Sequence, residues 1–301
     1  MLYLDEEQVR ALLQWDELIP AMENALAEFS LGQVVQPMRN MLTVEEGKRY
    51  LGIMPAVARE AMGAKLVSFY PVNEGTGTAT HHAMILLFRP DTGEPLAVMD
   101  GRLITEMRTA AVSAAVTKYL AAPDARVLAL VGSGVQARAH LQALSRVRHL
   151  DEIRVWSRTA AHAARFAEQH NARAMSIADA VRGADVVVTA TNALQPILDG
   201  DWLKPGAHVN AVGSPRPNWR ELDDRVMGNI LVVDSREAVL KESGDVILSG
   251  AEIYAEAGEI FTGTKPVPLS ETTVFKSVGL AIEDIATAKL VCDKAATLVT
   301  A

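Results

Sequence analysis

VLALVGSGVQARAH, residues 127–140, decides the fold. Five apolar residues read as a buried strand, Gly132, Ser133 and Gly134 as a tight turn, and the stretch from Val135 as a helix. The spacing is G-x-G-x-x-A, ending at Ala137. Gly132 permits the turn, Gly134 lets a pyrophosphate approach the backbone and Ala137 lets helix pack on strand, while the helix N-terminus faces the negative charge. A second strand, EIRVW, follows about 20 residues on, as a dinucleotide-binding unit requires.

That second strand ends in VWSRT, residues 155–159. A free ribose 2'-hydroxyl is usually held by an acid at this point, and a 2'-phosphate by a cation with hydrogen-bond donors. Ser157, Arg158 and Thr159 supply donors and no negative charge, so NADPH is the expected cofactor, with NADH at lower preference. The plain alternative is that Arg158 is a solvated surface charge.

Outward from the turn, short apolar strands alternate with helical stretches: RVLALVG, EIRVWS, a brief strand near Ala174, DVVVTAT, HVNAVG and NILVVDS. Such alternation implies a parallel sheet with crossover helices. The fold class is α/β: a Rossmann-type, doubly wound domain over 125–273. Before it, PMRNMLTV, RYLGIM, GAKLVSFY, AMILLFRP and PLAVMD read as an antiparallel sheet, preceded by helices for which Asp5 and Asp16 are candidate caps. Thr105 is the candidate cap of a helix ended by Pro123. The tail, FKSVGLAIEDIATAKLVCD, reads as an amphipathic helix with Val278, Ile282 and Ile285 on one face. It is expected to fold back on the first sheet, making 1–124 and 274–301 a discontinuous α+β domain for substrate binding and dimerisation.

The chain has 301 residues, 49% apolar, enough for roughly two domains with a full core. A formal charge of −8, without a lysine or arginine block, argues against nucleic-acid binding. The single Cys292 can form neither an internal disulfide nor a multi-cysteine zinc site. MLYLDEEQVR lacks the pattern of a signal peptide, and no stretch approaches the ~18 apolar residues that cross a bilayer. The expected compartment is the cytoplasm, without membrane or metal.

Three cations interrupt apolar surroundings: Arg39 in PMRN, Lys65 in GAKLVSFY and Arg108 in EMRTAA. With Thr105 as cap, Arg108 would fall in the first helical turn, where guanidinium and helix N-terminus both favour an anion. An ordinary surface salt bridge is the alternative for each. His81 and His82 point to opposite faces of a strand and are poorly placed to share a metal. No G-x-S-x-G elbow is present.

VVQPMR, YLGIMPA, AVMDG, RTAAVSA, GSGVQA, KPGAHVNAVG, RPNWRELDD, LKESGDVILSGAEI and TTVFKSVG occur in order across both domains. With these the chain resembles the ornithine cyclodeaminase and mu-crystallin family, nearly end to end, and most of all its NADPH-dependent ketimine reductase branch. The resemblance implies a homodimer built through the N-terminal domain and an active site in the cleft between domains. It implies that Arg39, Lys65 and Arg108 bind the substrate carboxylate and reacting centre, with Trp219 lining the pocket. It further implies that Thr80, His81, Arg108, Gly132, Ser133, Gly134, Val135, Gln136, Ser157, Arg158, Thr159, Thr191, Val212 and Ser277 contact the cofactor.

One departure separates branches. Cyclodeaminases carry an aspartate in the region where AVGSPRPNW places Ser214 and Pro215. Proline cannot take a proton, which favours reduction of a cyclic imino acid, of the 1-pyrroline-2-carboxylate or 1-piperideine-2-carboxylate type, by hydride transfer. Lys65 would orient the substrate and relay the proton. The alternatives are an ornithine or lysine cyclodeaminase, an alanine-type amino-acid dehydrogenase, and a non-catalytic binder of small hydrophobic carboxylates such as thyroid hormone.

Overall fold

The computed structural model describes residues 1–73 and 75–300. Two compact units result, Met1–Arg108 with Leu280–Ala301, and Thr109–Gly279.

The first unit opens with β1 (Leu2–Leu4), α1 (Glu6–Leu12) and α2 (Trp15–Ser30), then β2 (Asn40–Glu45), β3 (Arg49–Val57), β4 (Met62–Phe69), β5 (His81–Phe88), β6 (Pro95–Asp100) and the start of α3 (Arg102–Leu120). The sheet order is β1-β6-β5-β4-β3-β2, with β1 parallel to β6 and the remaining pairs antiparallel. Asp5 caps α1 in a reciprocal capping box with Gln8, which satisfies two otherwise orphaned N–H groups. Asp16 is no cap, because α2 already begins at Trp15 after Gln14.

The second unit runs through β7 (Val127–Val131), α4 (Val135–Val147), β8 (Glu152–Trp156), α5 (Ala160–His170), β9 (Arg173–Ala174), α6 (Ile177–Val181), β10 (Val186–Thr189) and β11 (His208–Ala211). It continues with α7 (Asp224–Met227), β12 (Ile230–Val233), α8 (Arg236–Glu242), α9 (Gly244–Ser249), β13 (Ile253–Glu256), α10 (Ala257–Phe261) and β14 (Thr273–Lys276). The chain then returns to the first unit as α11 (Ala281–Thr300). The eight strands are parallel in the order β13-β12-β14-β11-β10-β7-β8-β9. β7 has β8 on one side and β10 on the other, which makes the β7/β10 junction the switch point where open α/β sheets bind ligands.

The expected boundaries at 124/125 and 273/274 move to 108/109 and 279/280. The first moves because α3 beyond Arg108 is tied into the second unit. Ser113 Oγ donates to His140 Nε2 at 2.9 Å, Asn210 Nδ2 donates to Thr117 Oγ1 at 3.0 Å, and the Arg148 guanidinium donates to the carbonyls of Thr117 and Ala121 at 2.9 Å each. The second moves because Thr273–Lys276 is an interior strand, between β11 and β12, so the tail helix begins only at Ala281.

That tail helix lies on the first sheet, against β3, β4, β5 and α2. Its first turns are buried all round: Ile282, Glu283, Asp284 and Ile285 have 1%, 0%, 0% and 0% exposure, so even its acids face no solvent there. Gly63 explains the close approach, since a Cβ there would collide with the Leu86 carbonyl and lie 3.1 Å from Ile285 Cδ1.

Candidate functional site

Across the covered face of the first sheet, Met54, Lys65, Ile85 and Met99 stand in one register row. Three are apolar and one is an ammonium with 2% exposure. The row is forced by strand alternation: Gly63 and Lys65 share a face, so the position that lets α11 approach also points Lys65 at it. The Lys65 Nζ lies 2.5 Å from Asp284 Oδ2 and donates to Thr105 Oγ1 at 3.5 Å. Burial drives its pKa down to about 8; Asp284 opposes that shift, and the charges of Arg108 and Arg39 add to it.

Arg108 is equally buried and is held by two carboxylates, Nε donating to Asp284 Oδ1 at 3.0 Å and Nη1 to Glu283 Oε2 at 2.5 Å. Despite burial its pKa is raised, because Asp284 and Glu283 stabilise the cation; burial depresses both ammonium and guanidinium, and only the lysine yields. Arg39, half-buried just before β2, is close enough for its charge to act on Lys65. The three cations named from sequence therefore converge in one unit.

Arg108 does not sit in the first turn of its helix. The helix starts at Arg102, with Asp100 Oδ1 accepting the N–H groups of Arg102 and Leu103 at 3.0 and 3.2 Å. Thr105 is no cap; its hydroxyl donates to Gly101 O at 2.7 Å inside the helix. The favourable field of a helix end fades within one turn, so the anion-binding capacity of Arg108 rests on its guanidinium alone.

Glu283 and Asp284 are the partners the sequence reading missed. The signal was present: two adjacent acids flanked by Ile282 and Ile285, in a stretch too apolar to leave them a solvated face. Both fall in the first turn of α11, where the helix dipole favours carboxylates.

In the second unit the expected nucleotide residues gather at the carboxyl ends of β7, β8, β10, β11 and β14. Gly132 has φ +121°, a left-handed-side conformation suited to glycine, and a Cβ there would lie 2.7 Å from Ala190 O. At Gly134 a Cβ would meet nothing within 4 Å, which leaves open space over the turn. The N-terminus of α4 has no side-chain cap, Ala137 is packed at 1% exposure, and the buried Oε1 of Gln136 has no hydrogen-bond partner. Open backbone donors and a glycine approach fit a dinucleotide pyrophosphate.

Ser157, Arg158 and Thr159 follow β8, with Arg158 and Thr159 exposed, and Thr159 precedes α5 without a side-chain cap bond. Thr191 and Val212 are joined through the ends of their strands, Val212 N donating to Thr189 O at 3.0 Å. Ser277 is fixed by Asp234, whose Oδ2 accepts its hydroxyl at 2.9 Å and the N–H groups of Val278 and Gly279 at 2.7 Å each.

Thr80 and His81 lie in the other unit, at the start of β5, with Thr80 Oγ1 and His81 Nδ1 3.1 Å apart. The His81 ring is exposed and packs at a tilt on Phe69, ring centroids 4.5 Å apart. Trp219 is half-buried in the loop after β11, its backbone packed on Gly244. In that loop Ser214 adopts φ 48°, and its hydroxyl is already committed to Ala193 O at 2.7 Å. Among the described residues no group of three metal-binding side chains occurs, and no helix is long and apolar enough to cross a membrane.

The chain is 50% identical to the ketimine reductase mu-crystallin of Mus musculus, over 97% of this chain and 96% of that one. Among solved structures it is similar to Delta(1)-pyrroline-2-carboxylate reductase of Thermococcus litoralis in complex with NADH and L-proline, at 38% identity and a TM-score of 0.94, covering 99% and 98% of the two chains. An archaeal alanine dehydrogenase dimer with bound NAD matches at 33% identity and a TM-score of 0.93, covering 99% and 97%. The family profile runs over residues 2–298, and the chain belongs to the ornithine cyclodeaminase/mu-crystallin family.

Proposed function

We propose that this protein is an NAD(P)H-dependent oxidoreductase that reduces cyclic ketimine carboxylates, of the 1-pyrroline-2-carboxylate or 1-piperideine-2-carboxylate type, to cyclic L-amino acids. The observation that carries the reading is Lys65: an ammonium buried beside Arg108, with a pKa brought to about 8, in a chain that also has a complete dinucleotide turn. A reduced nicotinamide dinucleotide, held through the turn of Gly132, Ser133 and Gly134, would supply the hydride for the C=N carbon.

Arg108 and Arg39 hold the substrate carboxylate. A guanidinium carries five N–H donors, more than the two bonds from Arg108 to Asp284 and Glu283 use. Lys65, still protonated at neutral pH and able to release a proton, delivers it to the ring nitrogen as the carbon is reduced, and Asp284 steadies the ammonium meanwhile. Ser157, Arg158 and Thr159 favour NADPH over NADH. Gly132, Ser133, Gly134, Val135 and Gln136 cradle the pyrophosphate, while Thr80, His81, Thr191, Val212 and Ser277 border the rest of the cofactor and Trp219 the substrate. The working form is a cytoplasmic homodimer.

Ser214 supports reduction over cyclodeamination, since the group in the cyclodeaminase aspartate's region is a hydroxyl spent on a backbone carbonyl. The deciding experiment supplies the two cyclic imines and follows NADPH absorbance. A reductase consumes one NADPH per product. Ammonia release from ornithine or lysine without net NADPH change would instead make it a cyclodeaminase, and oxidation of alanine with ammonia release a dehydrogenase of open-chain substrates.

A further inference from the structure

Glu221 is fully buried, and the chemistry above makes no use of it. Its Oε1 accepts Thr191 N at 2.7 Å and Thr191 Oγ1 at 2.6 Å, and its Oε2 accepts Thr189 Oγ1 at 2.8 Å. Behind it lies a second buried carboxylate, Asp245, whose Oδ1 accepts the N–H groups of Glu221 and Leu222 at 2.8 and 3.0 Å. The cation nearby is Lys276 at the end of β14, 2.9 Å from Asp245 Oδ2 and donating to Gly213 O at 2.7 Å. Two carboxylates and one ammonium at 0% exposure form a costly cluster, and apolar side chains of like volume would hold a fold at least as well.

What the cluster holds is the segment just after β10. Thr191 is gripped at its N–H and hydroxyl by Glu221, while its carbonyl accepts Ser214 N at 2.9 Å. On one flank Ala190 and Thr191 close against Gly132, the first glycine of the nucleotide turn; on the other, a side chain at Gly213 would collide with both Thr191 O and the Glu221 carboxylate. The β7–β8 side of the switch point takes the adenine half of a dinucleotide, which leaves the β10–β11 side to the nicotinamide half.

We infer that Glu221 is a positioning residue for the nicotinamide half of the cofactor, acting through Thr191 by locking the segment that joins the nucleotide turn to the end of β11. This rests on the dinucleotide-dependent reading above. A carboxylate suits the task because it alone accepts all three donors at once; a glutamine would turn an N–H₂ toward one of them. Burial raises the pKa of the Glu221 carboxyl and Lys276 counters it, so Lys276 is the group that helps keep the acceptor charged.

The experiment titrates NADH and NADPH into the wild-type chain, Glu221→Gln, Thr191→Val and the double variant by calorimetry, with thermal melts of each. Val181→Ala, a cavity in α6 at a fully buried position, serves as the stability control. The expected result is a Kd raised about tenfold for both dinucleotides in each single variant, no further rise in the double, and an unchanged Kd in Val181→Ala despite its lowered Tm. A lowered Tm with unchanged Kd in Glu221→Gln, or additive effects in the double, would overturn the inference. If Glu221→Gln does not fold, Glu221→Asp, which shortens the reach to Thr191, replaces it: a raised Kd there with no further rise on adding Thr191→Val is expected, and an unchanged Kd overturns the inference. A wild-type chain that binds neither dinucleotide removes the underlying reading instead.

Discussion

Lys65 Nζ lies 2.5 Å from Asp284 Oδ2, and both side chains are withdrawn from solvent. The partner's second oxygen accepts from Arg108, so one carboxylate sets the distance between the two cations proposed to bind the substrate. Asp284 also raises the Lys65 pKa, against burial and the neighbouring arginines. With the protonated lysine as donor, turnover holds up to about pH 8 and falls above it. In Asp284→Asn that supporting charge is gone, and the alkaline limb of kcat moves to lower pH. A limb that stays in place in the variant would remove Lys65 as the titrating group. The variant also loses about 3–5 kcal/mol of stability, measured by urea unfolding, because two buried cations keep a single carboxylate.

Lys65→Met keeps an unbranched side chain, one atom shorter, and removes the proton. General acid catalysis contributes roughly 10²–10⁴-fold, so kcat at saturating imine falls by that range while the Kd for NADPH stays near the wild-type value. Full turnover in Lys65→Met would leave solvent as the donor and reduce the lysine to a binding group.

Arg158→Ala tests the choice between dinucleotides. Hydrogen bonds to a charged group are worth about 1.5–3 kcal/mol, which is roughly 10- to 150-fold in affinity. The KM for NADPH rises by that factor and the KM for NADH stays, so the preference collapses or inverts. Equal use of both dinucleotides by the wild-type chain would mean that the 2'-phosphate is not read at Arg158.

How far the sequence carried the fold depended on the range of the signal. The nucleotide turn and the alternation after it are local patterns, and β7, α4, β8 and α5 follow from them directly. β1, with three residues, β13 and β14 lacked such a pattern; β14 is a strand because it fits between β11 and β12, a contact that spans more than 60 residues. The same holds at the site. Arg39, Lys65 and Arg108 stood out as cations in apolar surroundings, whereas the role of Asp284 depends on a helix folding across Gly63, 221 positions away in sequence. Thr105 looked like a cap by residue type alone, but Asp100, one residue before Gly101, offered the stronger acceptor.

Acid stability follows from two buried histidines that catalysis does not use. His140 Nδ1 donates to Gln136 O at 2.8 Å and its Nε2 accepts the Ser113 hydroxyl; His208 Nδ1 accepts the Thr273 hydroxyl at 2.8 Å and its Nε2 donates to Asn210 Oδ1 at 3.3 Å. Both rings are thus satisfied in the neutral form, and burial lowers their pKa from 6.5 to about 4 for His140 and about 3 for His208. Since the unfolded chain binds these protons at a higher pH than the folded one, stability rises with pH over this window. It is complete above about pH 6.5 and is lost as pH falls toward 4, on the order of 3 kcal/mol for each ring. Urea unfolding between pH 7 and pH 4 reads this as a falling midpoint. His140→Gln, which keeps a donor and an acceptor but cannot titrate, flattens the slope by about half even though its stability at pH 7 is lower. An unchanged slope in that variant would assign the acid sensitivity to the carboxylates instead.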